Sequence, residues 1–250
     1  MSEHIKISRE GAVLHVTMAR PDKKNALSSA MYEAMLAALE EAERDDAVRC
    51  VMFQGSGGVF TAGNDIGDFL SHARDMFKAP GFRFIKALAA CQTPMVAAVE
   101  GVAVGVGTTM ILHCDLAYAA PSAMFKMPFV DLGLVPEAGS SLLLPELAGM
   151  KKATELLMLS ESFDAAEALR IGLINAVVSA EKLIAHAGAR AQLIAAKPAD
   201  ALKATRRLMR GDPARVTARI DEEGVAFAKA LASPEARGAF MQFMERGKKG

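Results

Sequence analysis

The amino-terminal part of the chain alternates between short apolar runs and polar turns, a pattern that predicts two strands and then a helix. Ile5–Ser8 and Val13–Thr17 flank Glu10-Gly11, and β-prone runs on either side of such a turn are typical of a hairpin. Ser28 precedes a stretch in which apolar residues recur at helical spacing as far as Arg44. We therefore expect an antiparallel hairpin, followed by an amphipathic helix with Ser28 as its N-cap.

Farther along the chain, apolar strands run repeatedly into glycine turns. Cys50–Gln54 leads into Gly55, Met95–Val99 leads into a second glycine-rich segment, and Leu116–Ala119 is followed by the short run Met124–Met127. A buried strand, a glycine turn and a helix in succession indicate an α/β protein. Backbone amides are exposed where such strands pass into helices.

After Ala138 the pattern becomes mainly helical. It predicts helices over Met150–Leu159, Ala165–Ile171 and Ala180–Ala196, with one short strand at Asn175–Val178. Prolines then separate three more helices, at Pro198, Pro213 and Pro234. We predict a mixed core over residues 1–197 and a helical region over residues 198–250, which packs on the core or on a neighbouring subunit.

Composition and charge narrow the function. The chain has 250 residues, and its 29 Lys and Arg balance its 29 Asp and Glu, so it lacks the basic excess of a nucleic-acid-binding protein. The longest apolar stretch, Met95–Leu112, is interrupted by Glu100 and by glycines, which argues against a membrane span. Because Met1–Gly11 is polar, it does not resemble a signal peptide. We expect a cytoplasmic protein that binds neither nucleic acid nor membrane.

Common cofactor and nucleophile motifs are missing from the sequence. Gly105 and Gly107 would need a third glycine at the place of Met110 to form a dinucleotide-binding fingerprint, and there is no phosphate-binding loop or serine nucleophile elbow. The cysteines stand singly, at Cys50, Cys91 and Cys114, so neither a disulfide framework nor a zinc site is indicated. The five histidines, His4, His15, His72, His113 and His186, are scattered, and we interpret them as structural or surface residues.

Three remaining segments point to a family. They are F-T-A-G-N-D-I at Phe60–Ile66, E-G-V-A-V-G-V-G at Glu100–Gly107 and P-F-V-D-L-G-L-V-P-E-A-G-S-S at Pro128–Ser141. With R-P-D-K-K-N-A-L at Arg20–Leu27 and R-G-A-F-M-Q-F-M-E-R at Arg237–Arg246, they resemble the crotonase, or enoyl-CoA hydratase/isomerase, superfamily. The resemblance implies an α/β spiral of ββα units, an acyl-CoA substrate, no metal and no redox cofactor.

The resemblance also implies assembly and ligand contacts. It implies a C-terminal helical trimerisation region, hence a homotrimer or homohexamer, and we interpret Phe227, Phe240 and Phe243 as part of that interface. The thioester carbonyl would lie between the backbone N–H groups of Asn64 and Val106, which stabilise the negative charge that develops when a neighbouring proton is removed. Coenzyme A would be held by the other family positions: Lys24, Ala26, Ala62, Gly63, Asp65, Ile66 and Gly105.

The choice of reaction depends on the carboxylates. The two glutamates of the hydratases align with Thr109 and Phe129, which cannot perform acid–base catalysis. Glu137 stands in a context similar to that of peroxisomal-type Δ3,Δ2-enoyl-CoA isomerases, so we assign it the proton transfer from C2 to C4, with Asp131 as a reserve base. Alternatively, Glu137 only occupies a helix N-terminus. A hydratase, another crotonase-type reaction, and a catalytically silent binding protein therefore stay open.

Two positions depart from the family pattern. Val106 replaces a glycine that is common in the second donor turn, and Asn64 adds a side-chain amide near the thioester carbonyl. That amide can bind a substrate group beyond a plain acyl chain. The two positions therefore bear on the identity of the substrate.

Overall fold

A computed structural model of the chain describes residues 2–71 and 75–247. His72 lies outside the described residues. The strands are β1 Ile5–Glu10, β2 Val13–Met18, β3 Cys50–Gly55, β4 Met95–Val99, β5 Val102–Val104, β6 Leu116–Ala119, β7 Met124–Lys126, β8 Phe163–Asp164 and β9 Ala176–Val177. The helices are α1 Ser29–Arg44, α2 Ile66–Ser71, α3 Pro80–Ala90, α4 Val106–Thr109, α5 Ser140–Ala148, α6 Met150–Leu157, α7 Ala165–Arg170, α8 Ala180–Ala195, α9 Ala199–Arg210, α10 Pro213–Leu231 and α11 Pro234–Gly247.

The larger sheet has the strand order β1-β2-β3-β4-β6-β9. Only the β1–β2 hairpin is antiparallel, and the other neighbours run parallel. Successive residues of β3 serve opposite faces, because Val51 and Phe53 pack into the core that α1 and α3 share, whereas Cys50 and Met52 face α8. A parallel sheet covered on both faces needs strands that are apolar throughout. Accordingly, every residue of β4 is buried.

A smaller sheet of order β5-β7-β8 begins within the second glycine-rich segment, because β5 lies between Gly101 and Gly105. β5 has only three residues, and the sequence pattern merges it with the turn, so it is not predicted as a separate strand. Its Ala103 pairs in parallel with Thr61, which places the segment after β3 beside the segment after β4. This pairing brings the two predicted donor turns together.

The predicted N-cap position of α1 is confirmed, but a residue of another element supplies the capping acceptor. Ser28 occupies the N-cap position, but its side chain makes no capping hydrogen bond. Instead, Asp68 Oδ2 accepts hydrogen bonds from the Ser29 N–H at 2.7 Å and from the Ser29 hydroxyl at 2.6 Å. The carboxylate thereby satisfies an unpaired amide of the first turn and ties α2 to α1.

The carboxy-terminal helices pack on the core. Arg206 of α9 bonds Asp115 Oδ1 at 2.8 Å and the Cys91 carbonyl at 2.8 Å, and Lys86 of α3 pairs with Asp221 of α10. The division of the chain between residues 197 and 198 stays a prediction.

Cys50 and Cys91 are buried, Cys114 is half-buried, and all three are free thiols. Within the described ranges, no helix is both long and apolar enough to cross a bilayer.

Candidate active site

One cavity of about 690 Å³ opens between the two donor turns, the loop before α1, and helices α3 and α10. Its lining includes every predicted site residue: Lys24, Ala26, Ala62, Gly63, Asn64, Asp65, Ile66, Gly105, Val106 and Glu137. Most of the remaining wall is apolar, so the cavity has the character of a small-molecule site with few polar groups.

The first donor turn leaves the Asn64 amide free. Leu27 N–H donates to the Gly63 carbonyl, and Asp65 N–H donates to the Leu27 carbonyl, at 2.8 and 2.9 Å. In this parallel pairing the amide of the residue between them points away from Leu27. Gly63 has φ of 87°, a left-handed conformation that favours glycine, and a Cβ there would come within 2.6 Å of the Val104 carbonyl oxygen. No acceptor for the Asn64 N–H lies within the described part of the chain.

The second donor turn is built at the start of α4. Gly105, with φ of 57°, donates its N–H to Lys126 O, while its carbonyl accepts from Thr108 and Thr109. Val106 is the first residue of the helix, where an amide has no partner within the helix. A Cβ on Gly105 would meet no atom within 4 Å, so open space adjoins the turn.

Strand pairing brings the two turns that carry these amides to the same cavity. Thr61 and Ala103 form a parallel bridge, and Asn64 and Val106 each lie three residues beyond their bridge residue. Thr61 N–H donates to Val102 O, and Val104 N–H donates to Thr61 O. Both turns leave this short ladder in the same direction and reach the same cavity.

The buried side chain of Asn25 holds the loop that carries Lys24 and Ala26. The Asn25 side chain is fully buried, and its Nδ2 donates to the carbonyls of Ser56 and Val59 at 3.0 and 2.7 Å. Lys24 and Asn25 both have positive φ, of 50° and 54°. The Lys24 carbonyl accepts from Ala62 N–H at 2.9 Å, so the predicted coenzyme contacts adjoin the first donor turn. Asn25 lies in the R-P-D-K-K-N-A-L segment, but no local pattern indicates that its side chain holds the loop.

Asp65 lines the cavity with its carboxylate already engaged. Arg20 Nη1 donates to it at 2.8 Å, and Asp68 N–H donates at 3.3 Å. Burial opposes ionisation of Asp65, but these hydrogen bonds and the Arg20 charge outweigh it and hold the pKa below its usual value. The Asp65 side chain therefore holds the turn in place.

Glu137, the predicted catalytic acid, lines the cavity. Thr109 Oγ1 donates to Glu137 Oε1 at 2.5 Å, so the residue predicted to align with one hydratase glutamate contacts this acid. Burial, opposed by the Thr109 hydrogen bond and assisted by the charge of Glu223, raises the Glu137 pKa to about 8. A carboxyl group with this pKa can exchange a proton near neutral pH.

The backbone after Glu137 adopts an uncommon conformation that two buried side chains hold. Ala138 and Gly139 have φ of 59° and 71°, and a left-handed alanine is unfavourable on its own. Glu223 of α10 accepts hydrogen bonds from the amides of Gly139 and Ser141, at 2.6 and 2.9 Å. On the other side, His113 Nε2 donates to Ala138 O at 2.8 Å.

The environments of these two side chains fit their roles. Burial lowers the His113 pKa to about 4, so the ring is neutral and its single N–H serves as the donor. Burial also raises the Glu223 pKa, although the bonds from Ser141 and Gly139 oppose this effect. Both carboxyl oxygens of Glu223 are thus occupied by backbone amides.

Asp131, the predicted reserve base, lies outside the cavity. Asp131 is exposed, pairs with Lys126 at 2.9 Å and does not line the cavity. Its 3-10 turn, Val130–Leu132, directs it to the surface. The Asp131 assignment is therefore wrong, whereas Phe129, at the other hydratase position, contributes an apolar side chain to the cavity wall.

Several lining residues were not predicted. Tyr32 of α1 donates its hydroxyl to Asn64 Oδ1, and Glu223 comes from a helix far along the chain; no local motif marks either residue. Phe227 and Phe240, interpreted from the sequence as interface residues, line this cavity and are buried in the single chain. Phe69 contacts both rings, with centroids 6.0 and 6.3 Å away. The Phe243 side chain lies outside the described part.

Known proteins are similar to this chain in sequence and in fold. A family model described as enoyl-CoA hydratase/isomerase matches residues 8–250. The chain is 32% identical over 252 residues to enoyl-CoA delta isomerase 2 of Rattus norvegicus, a match that covers 98% of this chain and 64% of that protein. It is also 32% identical over 254 residues to the short-chain-enoyl-CoA hydratase of Clostridium acetobutylicum, covering 98% and 96%.

A solved structure of the same family has a fold similar to that of this chain. The crystal structure of an enoyl-CoA hydratase/isomerase from Pseudoalteromonas atlantica T6c superposes with a TM-score of 0.93 at 41% identity, covering 98% of each chain. Because the chain spans only 64% of the length of the rat relative, that protein contains further sequence beyond the match. The present chain belongs to the enoyl-CoA hydratase/isomerase family and has the crotonase fold.

Proposed function

We propose that this protein is an enoyl-CoA isomerase that converts 3-enoyl-CoA to 2-enoyl-CoA. The observation that carries the proposal is the acid Glu137, which has a pKa raised to about 8 and a hydrogen bond to Thr109, in the cavity that both donor turns line. The relatives include both an isomerase and a hydratase, so the choice rests on the acid groups.

The reaction needs one proton acceptor and an anion site. The Glu137 carboxylate removes a proton from C2, and the electrons pass into the thioester to give a dienolate whose oxygen lies between the amides of Asn64 and Val106. Glu137 then returns the proton to C4, which leaves the double bond between C2 and C3 and restores the carboxylate. Each amide of such a site typically lowers the barrier by about 3 kcal/mol.

The pKa of Glu137 suits both halves of this cycle. At pH 7 a group with a pKa of about 8 is roughly one-tenth ionised, so the base is present and its conjugate acid readily gives the proton back. The Thr109 hydroxyl stabilises the ionised form through its hydrogen bond, while the apolar surroundings oppose it.

Hydration by two carboxylates has less support. The family resemblance aligns Thr109 and Phe129 with the hydratase glutamates, and Asp131 is outside the cavity. Glu223 is the other glutamate in the lining, but both its oxygens hold backbone amides, so it is not free to activate water. Every step assigned here moves only a proton, and we propose that no cofactor beyond the substrate's own coenzyme A takes part.

A spectroscopic assay tests the proposal. Conversion of a 3-enoyl-CoA to the conjugated 2-enoyl-CoA is followed by the absorbance of the conjugated thioester, and 2-enoyl-CoA alone reports hydration as a loss of that absorbance. We expect conversion by the wild type, a loss of at least about 100-fold in Glu137→Gln, and unchanged activity in Asp131→Asn, a surface control. Equal conversion by Glu137→Gln, or rapid hydration without isomerisation, would refute the proposal.

A further inference from the structure

The Asn64 side chain is held in one orientation by Tyr32. The Tyr32 hydroxyl donates to Asn64 Oδ1 at 2.5 Å. The Tyr32 ring is buried and packs against Phe84, with ring centroids 5.6 Å apart. Burial, followed by the charges of Glu137 and Asp68, raises the Tyr32 pKa well above its usual value, so the phenol keeps the proton that it donates.

This hydrogen bond decides which end of the amide meets a ligand. With Oδ1 directed to Tyr32, the Nδ2 group of Asn64 is left as a donor at the cavity wall. Asn64 Nδ2 has no acceptor among residues 2–71 and 75–247. It is also not one of the buried unpaired polar atoms of these residues, so it is open to the cavity. The backbone amide of the same residue is the proposed first oxyanion donor, so Nδ2 lies near the first carbons of a bound acyl group.

The mainly apolar lining of the cavity makes this donor selective. Leu27, Ile66 and Phe129 are among the apolar residues of the same cavity. A hydrocarbon acyl chain would strip water from the amide without replacing the hydrogen bond, whereas an oxygen acceptor would replace it. A donor that becomes enclosed when the ligand binds disfavours ligands that lack the matching acceptor, by about 10- to 100-fold for one neutral hydrogen bond.

We propose that the acyl group of the substrate carries an oxygen acceptor, such as a carbonyl, that receives a hydrogen bond from Asn64 Nδ2, and that Tyr32 is the positioning residue for this amide. The inference rests on the proposed function, because it requires the thioester to lie against the Asn64 backbone. It narrows the substrate class from enoyl-CoA in general to oxygen-bearing enoyl-CoA.

Calorimetric titration with unreactive ligands tests this. The wild type is titrated with hexanoyl-CoA, 3-oxohexanoyl-CoA and 5-oxohexanoyl-CoA, which share a chain length and differ in one oxygen. We expect at least one oxo derivative to bind about tenfold or more tightly than hexanoyl-CoA. Asn64→Leu retains the backbone donor and should abolish this preference. Tyr32→Phe retains the ring packing but frees the amide to rotate, and it should reduce the preference several-fold.

Tyr118→Phe serves as a matched control, because Tyr118 is a buried tyrosine of β6 that does not line the cavity. It should keep the full preference. Equal affinity of the wild type for all three ligands, or a preference that survives in both Asn64→Leu and Tyr32→Phe, would overturn the inference. Because no turnover is needed, failure of the isomerase proposal appears separately, as a lack of 3-enoyl-CoA conversion by a protein that still binds these ligands.

Discussion

The raised pKa of Glu137 has a consequence for stability that needs no substrate. A carboxyl group whose pKa is higher in the folded protein than in the unfolded chain keeps its proton preferentially in the folded state. Between the ordinary value of 4.5 and the folded value of about 8, the unfolded chain has lost a proton that the folded protein still holds. The free energy of unfolding therefore falls as pH rises through this window and stays level above it. Replacing Glu137 with Gln removes this dependence.

The expected size follows from the two pKa values. Each pH unit in the window is equivalent to about 1.4 kcal/mol, so the full difference is at most about 5 kcal/mol. Between pH 5.5 and pH 8.5, the wild type should lose about 3 kcal/mol of stability relative to Glu137→Gln. Other titrating groups are common to both proteins and cancel in this comparison.

Urea unfolding of both proteins, followed by circular dichroism across this pH range, measures the effect. The variant should become progressively more stable than the wild type as the pH rises. Stability differences that stay constant within about 0.5 kcal/mol from pH 5.5 to pH 8.5 would show that the Glu137 pKa is not raised, and the proton-shuttle assignment would lose its physical basis.

Three further substitutions test the groups around Glu137. Val106→Pro removes the second donor at a helix position that tolerates proline, and kcat should fall about 100-fold for the loss of one oxyanion hydrogen bond. Thr109→Val removes the hydrogen bond that lowers the Glu137 pKa, so the acidic limb of the kcat/KM profile should move to higher pH. Glu223→Gln removes a charge that raises this pKa, so the limb should move to lower pH, and loss of one amide acceptor should lower the free energy of unfolding by about 1–3 kcal/mol.

Each substitution has a matched control. Val106→Ala keeps the amide and should retain kcat, and Thr109→Ser keeps the hydroxyl and should retain the pH profile. Glu222→Gln changes the exposed neighbour of Glu223, which pairs with Arg219, and should change neither property. An unshifted pH profile in both Thr109→Val and Glu223→Gln would contradict the electrostatic description of the site, as would full activity of a folded Val106→Pro.

Local pattern was sufficient to predict most of the architecture. The hairpin, strands β4 and β6 and the helices after Pro198 lie where the sequence indicates, because apolar runs and prolines act over a few residues. β5 was missed since three residues give no periodic signal. α3 was also missed, although Pro80 begins it and its buried residues have helical spacing. Ser28 is the N-cap residue of α1 as predicted, but Asp68, from another element, supplies the acceptor, which the local sequence does not indicate.

The residues of the site likewise fall into those that local motifs predict and those that only tertiary packing brings to the cavity. The two glycine turns and the segment that contains Glu137 are local motifs that resemble the family, so the sequence was sufficient to predict that Asn64, Val106 and Glu137 share one site. Glu223 and Tyr32 reach the cavity only through helix packing, and nothing in their own surroundings distinguishes them from core residues. Long-range contacts of this kind set the pKa values and the amide orientation, which explains why sequence motifs indicate the family more readily than the substrate.

The proposed proton path can be followed directly with isotopes. A 3-enoyl-CoA that carries deuterium at C2 is converted by the wild type, and the product is analysed by NMR for deuterium at C4. A single shielded acid that takes the proton from C2 and returns it to C4 predicts transfer of part of the label to C4. A product with only solvent hydrogen at C4, formed equally well by Glu137→Gln, would contradict the account.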